Sequence, residues 1–452
     1  MGSVRVRMYR QGLGDCFLLT FSNEGTPAHV LIDCGVLKGT PDSATRMREV
    51  AENIRDTTGG HLDVLVATHE HWDHVSGFLQ AEEVFEGLTV GEVWLAWTED
   101  PDDELAAELR KRKSRVIRAL AAAARRLAAA DTHGAGASWE QLSALLDFHG
   151  DIGLEGIPTT GKALDWVKGR EAPVRFLAPG GQLAALGVHV YVLGPPHDRA
   201  MIKRSDPSKR HSEVYELAGD AGPDLGFLAA AESLDGDDEP GRQPFVAWYR
   251  CSEEEARREQ LFKERYFAPG EAWRRIEHDW LGAAGRLALQ LDSDTNNTSL
   301  VLAFELSEGG PVLLFPGDAQ VGNWLSWESL QWAGDGGATV SSDDLLARTV
   351  LYKVAHHASH NATLREKGLE LMTSPALTAM IPVNRVMAKK KQWNMPFPSL
   401  YSRLAEKTKG RIVDAEVGIA GEPPSGLTAA QWAQFVGATN VQPGWVDHTV
   451  EW

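Results

Sequence analysis

Apolar and polar positions alternate at Val4, Val6 and Met8, and short apolar runs follow at residues 16–21, 29–33, 62–68 and 93–97, with Gly- and Asn-containing turns between them. Period-two alternation and brief apolar runs bounded by turn formers predict strands, here those of a first sheet. The period then changes. Leu105, Leu109, Val116, Leu120 and Leu127 fall on one face at helical spacing behind Asp102, Asp103 and Glu104, which predicts a long amphipathic helix inside a mainly helical, Ala-rich insertion over 101–170. Strand-like runs resume at 174–177 and 189–193, then at 299–306, 312–315, 350–355, 377–382 and 411–413, predicting a second sheet. Residues 198–286 read as a second insertion of helix and loop, a candidate lid, with an exposed loop at 235–240 and a helix start near Glu253. Two groups of strands with helices outside them predict an αββα sandwich. One elaborated domain over 1–452 accommodates the length.

Composition narrows the class. No apolar run approaches the ~20 residues of a bilayer-spanning helix, and Met1 to Arg5 precede no signal-peptide core, so a cytoplasmic protein without a membrane partner is expected. Three cysteines, Cys16, Cys34 and Cys251, are too sparse for a disulfide framework and read as reduced thiols. A formal net charge of -18 argues against a simple nucleic-acid binder, because polyanion affinity comes largely from Lys and Arg. Local distribution can override the total: Lys111, Arg115, Arg118, Arg125 and Arg126 lie opposite the apolar stripe of the long helix. They form either a phosphate-tracking ridge or a solvated face whose acids precede its bases, as the helix dipole favours. Lys389, Lys390 and Lys391 before Trp393 read first as a solvated loop and second as a grip on a phosphate backbone. Trp273, Trp280, Trp324, Trp327 and Trp332 read as core or partner surface rather than base-stacking platforms.

The densest chemistry follows the apolar run 64–67. Thr68-His69-Glu70-His71-Trp72-Asp73-His74 brings three imidazoles and a carboxylate to the mouth of a strand, and such donors suit zinc, manganese, iron or cobalt. A solvated His-rich turn is the plain alternative, but an exposed loop has no reason to keep this order behind a buried strand.

His69, His71, Asp73 and His74 stand in the order His-x-His-x-Asp-His, and here the chain resembles the metallo-β-lactamase superfamily. Pro311 to Pro316 followed by Gly317-Asp318 resembles the family's strand that ends in a carboxylate bridging two metals. Val350 to Ala355 followed by His356-His357-Ala358-Ser359-His360 is similar to the segment of its last metal-binding histidine, with His356 the first choice and His357 the second. Gly12-Leu13-Gly14-Asp15-Cys16-Phe17, Leu31-Ile32-Asp33-Cys34-Gly35 and Asn296-Asn297-Thr298-Ser299 resemble one branch, the ComEC-like nuclease domain of competence DNA-uptake proteins. Pro396 to Pro398 with Leu400 and Leu404 resembles the family's last loop and helix.

The resemblance implies a metallo-β-lactamase sandwich with metals at one sheet edge and two divalent ions, Zn or Mn. It assigns His69, His71, Asp73, His74, Asp318 and His356 as ligands, and Asp33 and Asn297 as partners that hold ligands in their rotamers. Asp73 and Asp318 would hold the metals and the nucleophile, while His357 or His360 polarises the substrate or protonates the leaving oxygen; Ser359, Lys111, Arg115 and Arg118 are candidate phosphate contacts. One departure is plain: between the signature and Asp318 no histidine follows a strand in a Gly-His context. His133, His149, His211 and His278 read as surface residues, which leaves His189, His197, water or an amide oxygen to complete one metal. The expected reaction is hydrolysis with a hydroxide shared between two cations, acting as a phosphodiesterase or nuclease on DNA before RNA. Two alternatives stay open: a hydrolase of a small ester, phosphocholine or cyclic nucleotide, and a metal-containing effector module of an operon-encoded multi-protein system such as antiviral defence.

Overall fold

Residues 2–23, 25–129, 145–150, 159–204, 253–268, 270–271, 279–334 and 337–452 are described by a computed structural model. The apolar runs form strands in two large mixed sheets. In the first lie β1 (Ser3–Tyr9), β2 (Cys16–Ser22), β3 (Ala28–Cys34), β4 (His61–Ala67), β5 (Thr89–Ala96), β6 (Val174–Leu177), β16 (Thr439–Val441) and β17 (Trp445–Glu451), in the order β16-β17-β1-β2-β3-β4-β5-β6. In the second lie β7 (Gln182–Ala185), β8 (Val188–Gly194), β9 (Val301–Glu305), β10 (Val312–Phe315), β13 (Thr349–Lys353), β14 (Thr378–Ile381) and β15 (Ile412–Asp414), in the order β15-β14-β13-β10-β9-β8-β7. A separate ribbon pairs β11 (Gln331–Ala333) with β12 (Thr339–Ser341). Each sheet is antiparallel in one half and parallel in the other, the parallel runs being β3-β4-β5-β6 and β10-β13-β14-β15. Parallel neighbours need crossovers, and the helices Ser43–Thr58 and Trp72–Gln80 supply them around β4.

Val6, Phe17, Phe21 and Val66 of the first sheet share one core with Val190, Phe304, Phe315 and Leu351 of the second. Phe17 and Phe315 meet edge to face with centroids 5.7 Å apart. The outer face of the first sheet buries Met47, Ile54, Phe78 and Leu164 from its helices. On the outer face of the second sheet are Trp324, Trp327, Trp332, Leu345, Leu400 and Leu404. The result is a layered α/β sandwich.

The chain divides into two compact units. One comprises Met1–Arg112, Asp147–Asp220 and Asp292–Trp452, and it carries both sheets. The other comprises Lys113–Leu146 and Ala221–Leu291; its described residues include most of the helix Glu104–Ala129 and the short helices Glu253–Arg258 and Gln260–Arg265. The expected loop at 235–240, much of the 198–286 insertion, Cys251, Trp273, His133, His211 and His278 lie outside the described residues, as do the side chains of Trp280, Arg125, Arg126 and Leu127. None of the described helices is long and apolar enough to cross a membrane.

Three expectations are corrected. Residues 174–177 form the edge of the first sheet rather than the start of the second. The helix Pro398–Lys407 is not the last element, because β17 returns to pair antiparallel with β1, Ser3 facing Glu451. That strand hides a charge: Arg7 grips Asp447 through two bonds of 2.7 and 2.8 Å, and Trp445 covers the guanidinium at 4.4 Å. Finally, Lys389 and Lys390 end a helix, Arg385–Lys390, while Lys391 pairs with Asp147 and Trp393 stacks on Phe148.

Candidate metal centre

β4 lies between β3 and β5, so its apolar residues are buried on both faces. The chain leaves its C-terminal end through Thr68 and turns at His71 into the helix Trp72–Gln80, which puts Asp73 and His74 in the first helical turn. The donors therefore stand outside the carboxyl ends of parallel strands, where such sheets open a crevice. Two other segments clamp this loop. Asp15 N donates to Asp73 O (3.0 Å), and Gly35 N donates to Asp15 O (2.9 Å). A Cβ at Gly35 would fall 2.3 Å from the Asp73 carbonyl carbon and 2.4 Å from His74 N. Only glycine admits that approach, which accounts for Gly35 in the opening motif.

Asp33 binds the loop through its side chain. Its Oδ1 accepts from Thr68 N (2.7 Å), and its Oδ2 accepts from Thr68 Oγ1 (2.7 Å) and from His74 Nδ1 (2.8 Å). With the proton fixed on Nδ1, His74 turns Nε2 toward Asp318 Oδ2, 3.1 Å away. Asp318 follows Gly317, which is left-handed at φ 56. Its Oδ1 receives His356 N at 3.1 Å and lies 3.4 Å from Lys353 Nζ, so Oδ2 is the oxygen presented to the histidines. His357 donates from Nδ1 to Pro382 O (2.6 Å), and its Nε2 lies 3.1 Å from Asp73 Oδ2 and 3.8 Å from Asp318 Oδ2. His356, His357 and Ala358 all have positive φ (44, 52 and 63°). Such residues carry strain on the order of 1–3 kcal/mol each and concentrate at functional sites.

One donor atom each from Asp15, His74, Asp318 and His357 lies within 4.8 Å of the others, and all four residues are buried. This group can hold a metal ion. Its atoms fit one: Asp15 Oδ1, Asp73 Oδ1, His74 Nε2 and Asp318 Oδ2 are buried and make no well-aligned hydrogen bond among the described residues, a costly state for polar atoms unless a cation meets them. Charge points the same way. Among the described residues, Asp15, Asp33, Asp73 and Asp318 are buried here with one lysine, Lys353, which pairs with Asp15. Burial opposes charge on His74 and His357, yet Asp318 and its neighbouring carboxylates overcome this and raise both imidazoles above their ordinary value, His74 well above it. Burial likewise opposes the Asp318 carboxylate, but His74 and Lys353 hold it well below the usual carboxylate range. Protons on the two histidines thus answer a demand for positive charge that a divalent ion would satisfy.

The remaining expected residues divide. His69 and His71 are buried beside the group, with His69 Nε2 3.1 Å from His71 Nδ1 and the His69 ring 4.2 Å from that of His74. His356, the first choice for the last ligand, lies outside the four-residue group, and His357 lies within it. The His356 ring is held with Nδ1 3.2 Å from Gln320 Nε2 and 2.9 Å from Ser359 Oγ, and burial lowers its pKa to about 4. Ser359 is buried against that ring; His360 is exposed beside Phe397. Asn297 ties backbone together: Nδ2 donates to Ile202 O and Arg204 O, and Oδ1 accepts from Gln320 N and Asn323 N. Lys111, Arg115 and Arg118 are exposed. The stand-in histidines are engaged elsewhere, His189 with Glu305 and His197 with Asp103. His149, expected at the surface, is buried with its ring 5.3 Å from that of His71.

Sequence reasoning gave no role to Asp15, Lys353 or Asp292. Each left a trace: a carboxylate in a Gly-x-Gly-Asp turn, a lone ammonium inside an apolar strand, and a carboxylate one helical turn before Asn296. Comparison with protein-family models returns no match, and comparison with curated proteins returns none either.

Proposed function

We propose that the protein is a metal-dependent hydrolase on a metallo-β-lactamase sandwich of the ComEC-like type, acting on phosphodiesters, DNA before RNA. The observation that carries this reading is the convergence of buried acceptors from Asp15, Asp73, His74 and Asp318, which make no well-aligned hydrogen bond among the described residues, with His357 beyond the ends of parallel strands. Asp73, His74, Asp318 and His357 would hold one cation and His69 with His71 a second; mixed imidazole and carboxylate suit Zn or Mn. Bound there, such ions supply Lewis-acid stabilisation of phosphoryl oxygen and a water acidic enough to attack it. The chain's own residues do the rest. Asp33 and Pro382 O set the histidine tautomers, Lys353 and His356 N hold Asp318 Oδ1, and the buried loop keeps bulk water from the donors. His360, exposed on the same segment, is the imidazole available to the leaving oxygen. The net charge of -18 favours a second reading, a small diester or phosphocholine rather than a polyanion.

The test is elemental analysis after supply of Zn or Mn, followed by assays on bis-nitrophenyl phosphate, single- and double-stranded DNA, RNA and cyclic dinucleotides with and without chelator. Bound metal and chelator-sensitive cleavage, both reduced in Asp318→Ala, are expected. Protein that retains no metal refutes the centre, and turnover of a thioester or lactone alone refutes the phosphodiesterase assignment.

A further inference from the structure

His71 has two ring nitrogens with different neighbours. Nδ1 lies 3.1 Å from His69 Nε2, and Nε2 lies 3.7 Å from Asp292 Oδ1. Two ligand atoms on one tetrahedral ion with bonds of ~2.05 Å are about 3.3 Å apart, so the facing pair His69 Nε2 and His71 Nδ1 has the separation of two nitrogens sharing a small cation. If His71 binds through Nδ1, its Nε2 carries the proton, and that proton requires an acceptor. Among the described residues, Asp292 brings a carboxylate oxygen to that side. It is buried, and its other oxygen accepts from Asn296 Nδ2 at 3.2 Å, one turn further along the helix Asp279–Asn296. The rings of Phe148 and His149 pack on His71 with centroids 5.2 and 5.3 Å away and hold it in this orientation. A closed form of this arrangement stands at His74, where Asp33 Oδ2 accepts from Nδ1 at 2.8 Å and leaves Nε2 facing the cluster, whereas Asp292 Oδ1 stands 3.7 Å from His71 Nε2.

We propose that Asp292 is a positioning residue of the metal centre: it closes on the Nε2–H of His71 when Nδ1, with His69 Nε2, meets a cation. The inference rests on the metal-centre reading above. Asn296 acts through Asp292 by fixing its second oxygen.

Zinc titration of the full chain against a chromophoric chelator, together with elemental analysis at saturating zinc and the visible spectrum of the cobalt-loaded protein, tests it. Asp292→Ala is expected to keep the wild-type metal count at saturation while one equivalent binds 10–100-fold more weakly, with a shifted cobalt spectrum. Asp292→Glu should recover most of the affinity, and Asn296→Ala should weaken the same equivalent to a smaller degree. Wild-type affinity in folded Asp292→Ala overturns the inference while leaving the centre intact; so does an equivalent lost even at saturation and not restored by Asp292→Glu, since Asp292 would then be a ligand. If Asp292→Ala does not fold, wild-type affinity in Asn296→Ala overturns it. Wild-type protein that binds no zinc removes the centre itself, and this inference with it.

Discussion

Asp33→Asn leaves the shape of a buried side chain unchanged and replaces one acceptor with a donor. Three donors converge on this carboxylate: Thr68 N, Thr68 Oγ1 and His74 Nδ1. If the amide oxygen faces Thr68 N, the NH2 group faces the His74 nitrogen. The ring must then move its proton to Nε2, and the lone pair that would meet a cation beside Asp318 is lost. If the amide turns the other way, its NH2 meets Thr68 N–H, and two buried donors go unsatisfied at about 1–3 kcal/mol. Either arrangement harms the site. Replacing a ligand's outer partner typically lowers metal affinity 10–100-fold, about 1.4–2.7 kcal/mol, and we expect Asp33→Asn in that range for the equivalent held by His74. Zinc competition titration reads the affinity, and thermal unfolding in chelator reads the metal-independent part, a loss of about 1–3 kcal/mol. Wild-type zinc affinity in Asp33→Asn would refute the claim that this carboxylate selects the His74 tautomer.

Gly35→Ala drives a methyl group into the backbone of Asp73 and His74, and because backbone cannot yield as a side-chain tip can, the loss should reach or pass the upper end of the ~1–3 kcal/mol range for overpacking; an unchanged melting temperature would show that the clamp is looser than described. His448 is buried beside Arg411, and burial first, then that charge, lowers its pKa from 6.5 to about 4. The unfolded chain therefore takes the proton first, so stability is fully present above pH 6.5 and declines as pH falls from there toward 4, by about 3 kcal/mol for this residue. Urea unfolding across that window should show a shallower decline in His448→Gln, and parallel slopes would refute the assignment.

The loop 68–74 was legible as a buried donor cluster because its imidazoles and carboxylate are dense in sequence and follow a run that can only be a buried strand. The strands β3, β4, β10 and β13 were legible for the same reason, their neighbours on both sides being apolar. β17 was not, because its buried Asp447 and His448 look like surface residues until Arg7 and Thr439 are seen to satisfy them. The four-residue group contains His357 where counting outward from the strand prefers His356, because that count assumes regular dihedrals and three consecutive left-handed residues turn the second ring into the cluster. Asp292 escaped notice because its partner His71 lies more than two hundred positions away, and nothing local distinguishes a helical aspartate that faces a histidine from one that faces water.

The pairing of β1 with β17 sets an order on assembly. The donors of the centre, from Asp15 to His357, are all synthesised before residue 445, yet until then β1 has only one neighbour and its free edge offers unpaired N–H and C=O groups to any other chain. Arg7 meanwhile waits for the carboxylate of Asp447. A nascent chain can thus hold every residue of the candidate centre while its sheet is still open, and interrupted synthesis in that interval leads to edge-to-edge association rather than to a smaller folded protein.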